Sequence, residues 1–152
     1  MATTFLPKDL NYMSRVRKSF SRQTVMATLG VEIERLEAGE VDLRMAYDAK
    51  FSQQHGFMHA GIITTALDSA CGYAAFSLMA EHAAILTVEF KTNLIAPAKG
   101  EYFLFRATVI KPGRTITICD ARAYAVQAGQ ETLVATMTGT LMAVVGREGI
   151  SH

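Results

Sequence analysis

The spacing of apolar residues changes along the chain from a strand period to a helical period and back. From Ala60 to about Glu81, apolar side chains occur on every side. This predicts a helix of about five or six turns, at ~3.6 residues per turn, that is buried all round. Residues 31–36 and 41–45 instead alternate between polar and apolar positions and predict a hairpin of half-buried strands. Further strand-like runs follow the helix, at residues 85–95, 102–111, 115–126 and about 132–145.

Two shorter helices are predicted before the first strand. Residues 8–20 carry apolar side chains near helical spacing, and residues 23–29 form a second short helix that Gly30 closes. Short turns between the last four strand runs predict antiparallel neighbours. One long helix and one antiparallel sheet must bury their apolar surfaces on each other. We therefore predict an α+β fold in which the sheet wraps around the central helix.

The length of the chain suits one domain. We expect a single domain over residues 1–152, with a helical extension at 1–30, a core at 31–146 and a frayed tail at 146–152. A net charge of +1 gives no electrostatic case for nucleic-acid binding. The two cysteines form no CxxC pattern, and the first residues lack a basic segment followed by an apolar run. Both features lead us to expect a cytoplasmic protein.

Asp68 is the only carboxylate between Ala60 and Ala80. A membrane span over this stretch is disfavoured, because a central aspartate costs ~2.5–3.5 kcal/mol on insertion. In a buried protein helix, a lone carboxylate is also costly unless it is solvated or used. Asp68 is therefore the first functional candidate. The alternative is a structural role in which it bonds to backbone or hydroxyl groups.

A motif directly precedes the predicted helix and reads Gln53-x-x-Gly56-x-x-His59-Ala60-Gly61. Together with Asp68, nine positions after the motif's histidine, it resembles the hotdog-fold acyl-CoA thioesterases of the phenylacetate-degradation (PaaI-like) type. The resemblance covers roughly residues 30–146 and includes segments 91–98, 111–114 and 130–140. Ala60 departs from the family pattern, which has glycine there. Alanine is strained if the site needs a positive φ, whereas in the first helical turn it supplies the same N–H.

The resemblance implies a hotdog thioesterase domain that hydrolyses a fatty or aryl acyl-CoA to the free acid and CoA, with no metal or cofactor. It implies paired subunits with sites at their interface, and hence a homodimer or a tetramer built as a dimer of dimers. It also implies that Gln53 orients the nucleophilic water or the thioester. The main alternative is a non-catalytic acyl-CoA binding or regulatory hotdog protein. A hotdog hydratase or dehydratase is disfavoured because the sequence has no His-Phe-Pro-Gly motif.

Thioester hydrolysis needs a base or nucleophile, and donors for the oxyanion. The first N–H groups of a helix are unpaired and the macrodipole favours negative charge there, so the Ala60 N–H is the oxyanion-hole candidate. Asp68 is the candidate general base or nucleophile. His59 is either a general base or, as we favour, a residue that packs at the helix start and fixes the loop. Substrate contacts are expected from four further residues: Gly56, Gly61, Asn93 and Arg114. In this interpretation Arg114 pairs with a CoA phosphate, and a solvated turn arginine is the alternative.

The spacing of Ala60 and Asp68 sets a geometric limit. Eight residues of helix separate them by ~12 Å along the axis and ~80° around it. One carbonyl cannot lie within about 3 Å of both groups of one chain, so either a second chain supplies one group or one assignment is wrong. The paired subunits that the resemblance to the hotdog family implies, with sites at their interface, meet this limit. On that basis we expect an obligate dimer in which Gln53, His59 and Ala60 of one chain face Asp68 of the other.

Other nucleophiles and metal ligands fit the pattern less well. His55 and His59 are four residues apart and suggest a metal site, but Gly56 lies between them and no acidic third ligand is nearby. Cys71 lies about one helical turn after Asp68 and has no matched histidine in the sequence. We therefore predict that Cys71 is a packed thiol rather than a nucleophile.

Overall fold

The computed structural model describes residues 4–152. Two short helices and a hairpin precede a long helix, which is followed by four more strands. The elements are α1 (Tyr12–Arg22), α2 (Thr24–Leu29), β1 (Val31–Glu37), β2 (Glu40–Ala46), a 3-10 turn (Ala49–Phe51), α3 (Ala60–Phe76), β3 (Ala84–Leu94), β4 (Tyr102–Lys111), β5 (Ile116–Gln127) and β6 (Gln130–Val144).

The six strands form one sheet in the order β1-β2-β4-β5-β6-β3, and all neighbours are antiparallel. Helix α3 contacts all six strands, so the sheet curves around it. This is the predicted α+β architecture. The edge strands are β1 and β3, and β3 therefore has a sheet neighbour, β6, on one side alone within the described chain.

Small side chains bring the helix and the sheet close together. On β5 the alternating pattern buries Ala121 and Ala123, and on α3 the buried positions include Ala70 and Ala74. Bulkier groups fill the ends of the core, as Phe103 on β4 does, with no exposed surface. Close packing of apolar surface is the main stabilising contribution in such an interior.

Helix α3 is shorter than predicted, because it ends at Phe76 instead of near residue 81. A side chain from α1 binds the end of the helix: the Arg15 guanidinium donates to the last helical carbonyl, Phe76 O, at 3.2 Å and to Met79 O, three residues beyond the helix, at 2.8 Å. The same guanidinium pairs with Asp9 at 2.8 Å. An arginine held in this way satisfies the acceptors that a helix end leaves open.

The prediction that the central helix is buried all round is wrong for a single chain. A stripe along α3 stays partly open, and we call it the open stripe: Gly61, Thr65, Asp68 and Gly72. These positions recur every three or four residues and so share one side of the helix. The sheet of one chain covers the other sides and leaves this one accessible.

The N-terminal helices and the tail also differ from expectation. Helix α1 begins at Tyr12, later than predicted, since the Asp9 side chain accepts the Asn11 N–H at 2.8 Å and favours a turn there. The tail predicted to be frayed instead returns to the body of the protein, where His152 contacts α1, α3 and β3.

Within residues 4–152, no helix has the length and hydropathy required to cross a membrane.

Candidate functional site

His59 forms the N-cap of α3. Its backbone is extended, and its Nδ1 accepts the Gly61 N–H at 2.8 Å. An accepting Nδ1 carries no proton, so the ring holds its proton on Nε2 when neutral. A Cβ on Gly61 would lie 3.1 Å from His59 Nδ1, so glycine leaves room for this cap. The arrangement agrees with a role for His59 in fixing the start of the helix.

The backbone N–H of Ala60 is an unpaired donor. Ala60 is the first residue of α3, and no acceptor within residues 4–152 takes its N–H. Its neighbours at the helix start are paired, since the Gly61 N–H is taken by His59. Ala60 is also absent from the residues with positive φ, so alanine replaces the family glycine here without backbone strain.

The loop before the helix is held by its own hydrogen bonds. The Gln53 N–H donates to Phe57 O and the Gly56 N–H donates to Gln53 O, both at 2.9 Å. Gly56 has φ of +82°, which explains glycine at that position, and Tyr47 Oη donates to its carbonyl at 2.9 Å. The Gln53 side-chain oxygen accepts the His55 N–H. This bond orients the amide and leaves its NH₂ group as a donor.

A cavity of about 400 Å³ lies at the start of α3. Gln53 and Ala60 lie in its wall, and the rest of the wall is apolar: Phe57, Met58, Ile63, Leu94, Ile95, Ala96, Pro97, Ala98 and Val134. A largely hydrocarbon cavity with a few donors at one point is typical of a ligand site. Low polarity also strengthens the electrostatic effect of those donors.

Asp68 lies two turns further along α3, on the open stripe. Thr87 Oγ1 of β3 donates to its Oδ1 at 2.8 Å, and no lysine or arginine of residues 4–152 pairs with it. Desolvation raises the pKa of Asp68, and the Thr87 hydrogen bond opposes this in part. The carboxylate is thus oriented by one donor and is not neutralised by a cation.

Asp68 and Ala60 open into different cavities. The cavity at Asp68 is smaller, about 130 Å³, and more polar. Its wall consists of Gln23, Asp68, Ser69, Gly72, Tyr73, Ile85, Thr87 and His152. Within one chain, the structure therefore groups Gln53, His59 and Ala60 at the helix start and keeps them apart from Asp68, as the helical spacing predicts.

Two predicted substrate-binding residues lie elsewhere in the chain. Asn93 of β3 bonds to Thr136 at 3.3 Å, and the next residue, Leu94, lines the large cavity, so Asn93 points to the other face of the sheet. Arg114 lies in the β4–β5 turn, beside a cavity of about 200 Å³ at the C-terminal end of α3. One chain therefore brings neither residue to its own Ala60, and their roles remain predictions.

Sequence reasoning missed Thr87. Alternation along β3 shows which of its residues share a face, but the helical residue that Thr87 meets depends on how the strand lies across α3.

Cys71 is a buried thiol, as predicted, and Cys119 is buried as well. Burial raises the pKa of Cys71 well above its ordinary value and that of Cys119 to about 12, so both thiols remain protonated at neutral pH.

No three His, Cys, Asp or Glu side chains within the described part of the chain lie close enough together to hold a metal ion. The groups that Gln53, Ala60, Asp68 and Thr87 bring to the cavities described above are an amide, a backbone N–H, a carboxylate and a hydroxyl group. A base and a set of donors are the components that acyl transfer to water requires.

Comparison with known proteins identifies the family. Residues 55–132 match the family model of the thioesterase superfamily. A thioesterase family protein from Silicibacter pomeroyi has a similar structure, with a TM-score of 0.88 and 62% identity over 89% of this chain and 99% of that one. A protein from Saccharolobus solfataricus whose name marks it as an inferred esterase is 29% identical over 128 residues, 84% of this chain and 83% of its own.

The fold is shared more widely than the sequence. The PaaI protein of the phenylacetic acid degradation operon of E. coli is 18% identical, with a TM-score of 0.81 over 90% of this chain and 95% of that one. At that identity the likeness concerns the fold alone, and it confirms the predicted hotdog architecture. The chain belongs to the thioesterase superfamily and is a hotdog-fold hydrolase that acts on thioesters.

Proposed function

We propose that the protein hydrolyses a fatty or aryl acyl-CoA to the free acid and CoA, at a site that two copies of the chain build together. One observation carries the proposal. A single helix presents an unpaired backbone donor at Ala60 and, ~12 Å further along its axis, a carboxylate with no cation at Asp68. Each group is half of a thioester hydrolysis site, and the two halves are too far apart to act together within one chain.

The donor half polarises the thioester carbonyl. Gln53 and Ala60 both line the apolar cavity at the helix start, and the donors proposed to bind the carbonyl are the Ala60 N–H and the amide NH₂ of Gln53. In a tetrahedral intermediate the carbonyl oxygen becomes an oxyanion, and two fixed donors with the helix dipole stabilise that charge. In this proposal His59 keeps the helix start rigid through its cap, while Gly61 and Gly56 allow the close approach of the substrate.

The carboxylate half activates the attacking group. Asp68, oriented by Thr87, takes a proton from water as the water oxygen bonds to the thioester carbon, or attacks that carbon itself. When water attacks, the intermediate expels CoA as a thiolate, which takes up the proton that Asp68 removed, and the free acid is released. When Asp68 attacks, expulsion of the CoA thiolate leaves a mixed anhydride, which water hydrolyses to the free acid and the Asp68 carboxylate, and the proton released in that hydrolysis protonates the thiolate. Partial desolvation makes Asp68 a stronger base than an aspartate in water, in line with its raised pKa.

The open surface of a single chain supports a shared site. The open stripe of α3 lies beside β3, an edge strand whose large apolar side chains are exposed: Leu86 at 40%, Val88 at 56%, Phe90 at 45% and Leu94 at 61%. An apolar edge strand of this kind invites pairing with another strand. A second copy of the chain placed there would cover the stripe and bring its own helix start towards Asp68.

A relative supports the choice of Gln53 and Asp68. Two structures of a thioesterase from Staphylococcus aureus, 23% and 24% identical to this chain, carry alanine in place of a glutamine and of a glutamate, respectively. Those two positions are fifteen residues apart, the same interval that separates Gln53 from Asp68 here. An acidic residue and a glutamine at matched spacing were thus altered in that protein.

CoA itself is expected to extend away from Asp68 towards the C-terminal end of α3. Arg114 and Lys8 line the same cavity there, so two cations are available to the phosphates of CoA. Asn93 lies on the opposite face of β3 and is proposed to contact the portion of CoA that remains outside the cavity. Both contacts depend on how a second copy completes the site.

Complementation between two inactive variants tests the shared site. Ala60→Pro removes the donor N–H, and Asp68→Asn removes the base. Suppose that each site takes Asp68 from one chain and Ala60 from the other. Random pairing makes about half of the dimers mixed, and each mixed dimer has one intact site and one site altered at both positions. The co-refolded variants should then recover about one quarter of wild-type activity. The assay is release of free CoA from a panel of fatty and aryl acyl-CoA substrates.

Each variant co-refolded with itself is the matched control, and its activity stays far below one quarter of wild type. No recovery in the mixed sample, with mixed dimers shown by mass spectrometry to be present, would place both groups in one chain and end the proposal of a shared site. The non-catalytic alternative predicts a different outcome: the wild-type protein would bind acyl-CoA tightly and release no CoA from any member of the panel.

A further inference from the structure

The side chain of His152 lies beside the proposed base, although the tail was expected to be frayed. Its Nε2 accepts the Ile85 N–H of β3 at 3.0 Å, and its Nδ1 lies 2.8 Å from Ser19 Oγ of α1. The ring also packs on Phe76 of α3, with centroids 4.3 Å apart. His152 lines the cavity that contains Asp68. Three elements therefore meet at one imidazole, and this ring lines the same cavity as the candidate base.

The hydrogen bonds of this ring require a neutral imidazole. Because the Ile85 backbone can only donate, Nε2 is unprotonated, and the proton is on Nδ1, where it is donated to Ser19 Oγ. Ser19 Oγ continues the chain to Tyr73 Oη at 3.2 Å. A second proton on Nε2 would place two N–H groups against each other and break the contact with β3.

The contact with His152 matters at the start of β3 because hydrogen bonds hold this segment less firmly than they hold an inner strand. Residues 84–87 pair with β6 on one side, and the register shifts directly afterwards, between Thr87 and Glu89. A short ladder on an edge strand, interrupted by a bulge, is held weakly. His152 attaches to the unpaired side of that ladder, two residues before Thr87. Ile85 and Thr87 lie on the same face of the strand, and Thr87 is the residue that orients Asp68.

We propose that His152 is a positioning residue for the base: its neutral ring ties the start of β3 to α1 and keeps Thr87 hydrogen-bonded to Asp68. The inference rests on the proposed role of Asp68. It assigns no chemistry to His152, which acts through Ile85 and Thr87. When the ring is protonated, the tie to β3 is lost, the strand start loosens and Asp68 loses its oriented geometry.

Charged and titratable groups face the ring from two of the elements packed against it. Helix α1 contributes Arg15 and Arg22, and α3 contributes Tyr73 and, across the small cavity, Asp68. Desolvation, followed by the positive charges of Arg15 and Arg22, lowers the pKa of His152. The contact with β3 is therefore kept at neutral pH and lost under acid conditions, at a pH below the ordinary titration of a histidine near ~6.5.

Three variants separate positioning from a general packing role. His152→Ala removes the ring and both hydrogen bonds. His152→Gln keeps an oxygen that accepts the Ile85 N–H and an amide that donates to Ser19, but it does not titrate in this range. Ser151→Ala is the matched control, since Ser151 is exposed and precedes the ring by one residue. The measurements are kcat and KM for thioester hydrolysis as functions of pH, and amide hydrogen exchange at Ile85 and Thr87.

We expect His152→Ala to lower kcat by roughly tenfold at neutral pH with little change in KM, because a displaced base loses its alignment. We expect His152→Gln to retain kcat within about threefold of wild type and to lose the acid-side inflection that His152 causes, which leaves on that side the inflection of Asp68 itself. The protection factors of Ile85 and Thr87, which correct for the pH dependence of unprotected exchange, should fall in His152→Ala, and in the wild type on acidification. A His152→Gln profile that keeps both acid-side inflections, or a kcat of His152→Ala equal to that of Ser151→Ala, overturns the inference.

Failure of the proposed function would show itself separately. It would appear as wild-type turnover in Asp68→Asn, whereas hydrogen exchange at Ile85 and Thr87 reports the contact with His152 without any turnover. Unchanged exchange in His152→Ala overturns the inference whatever the activity. Accelerated exchange together with a kcat that falls only in the alanine variant supports it.

Discussion

Replacing Ala60 by proline tests the oxyanion assignment with little risk to the fold. Proline lacks the N–H that would bind the oxyanion, and every other backbone bond of α3 remains possible. Ala60 is the first residue of the helix, where proline is well tolerated because the N–H there has no helical acceptor. The preceding residue, His59, has φ of −60° and ψ of 137°, an extended conformation that a following proline accepts.

The size of the effect follows from the number of donors at the site. Removing one oxyanion donor typically lowers kcat by 10²–10³-fold, about 2.7–4 kcal/mol. Because the Gln53 amide is available as a second donor, we expect the lower end of this range, roughly 10²-fold. KM should change less, since the lost hydrogen bond strengthens mainly in the transition state. The free energy of unfolding should stay within about 1 kcal/mol of wild type, because the lost N–H has no partner in the folded chain.

The assay is steady-state release of free CoA, with unfolding in urea measured on the same preparations. Ala60→Gly is the matched control, because it keeps the N–H and restores the family residue. It should retain kcat within about threefold and lose about 0.5–1 kcal/mol of stability through backbone entropy. A folded Ala60→Pro variant whose kcat is within a factor of two of wild type would refute the role of this N–H.

Two further predictions concern Asp68 and the helix cap. Asp68 has a raised pKa in the folded protein, so the folded state binds its proton more tightly, and ionisation costs stability as pH rises above the pKa of the unfolded chain. Asp68→Asn should therefore lose activity, yet its free energy of unfolding at neutral pH should exceed that of the wild type, and this difference should vanish near pH 3. Urea unfolding of both proteins at a series of pH values measures the difference. A difference that does not change with pH would contradict the prediction. His59→Ala should lower stability by about 1 kcal/mol by removing the acceptor for the Gly61 N–H, whereas replacement of the exposed His55, as control, should have little effect in the same assay.

The sequence predicted much of the candidate site because its parts lie close together along the chain. The motif ending at Gly61 marks the start of the helix, and helical geometry fixes how far Asp68 lies from Ala60. That distance, together with the paired subunits that the resemblance to the hotdog family implies, led to the expectation of two cooperating chains. The single-chain structure keeps the two groups in separate cavities, as this argument requires.

The residues that the sequence did not reveal act over long separations in the chain. Thr87 reaches Asp68 from nineteen residues away, and His152 reaches Ile85 from sixty-seven. Neither contact leaves a periodic signal, because each depends on how a strand or the tail lies across α3. The exposed side of α3 could not be found from its composition, since apolar residues occur on all sides of the helix, and the packing of the sheet and of α1 decides which side stays uncovered.

The amino-acid sequence by itself determined the kind and order of the elements, the start of the central helix and the spacing of the two halves of the site. These properties follow from local periodicity and from the geometry of one helix. The tertiary structure alone decided the strand order, the open stripe, the hydroxyl that orients Asp68 and the docking of His152. They depend on which distant surfaces bury each other, and that choice is made by packing of the whole chain rather than by any short segment.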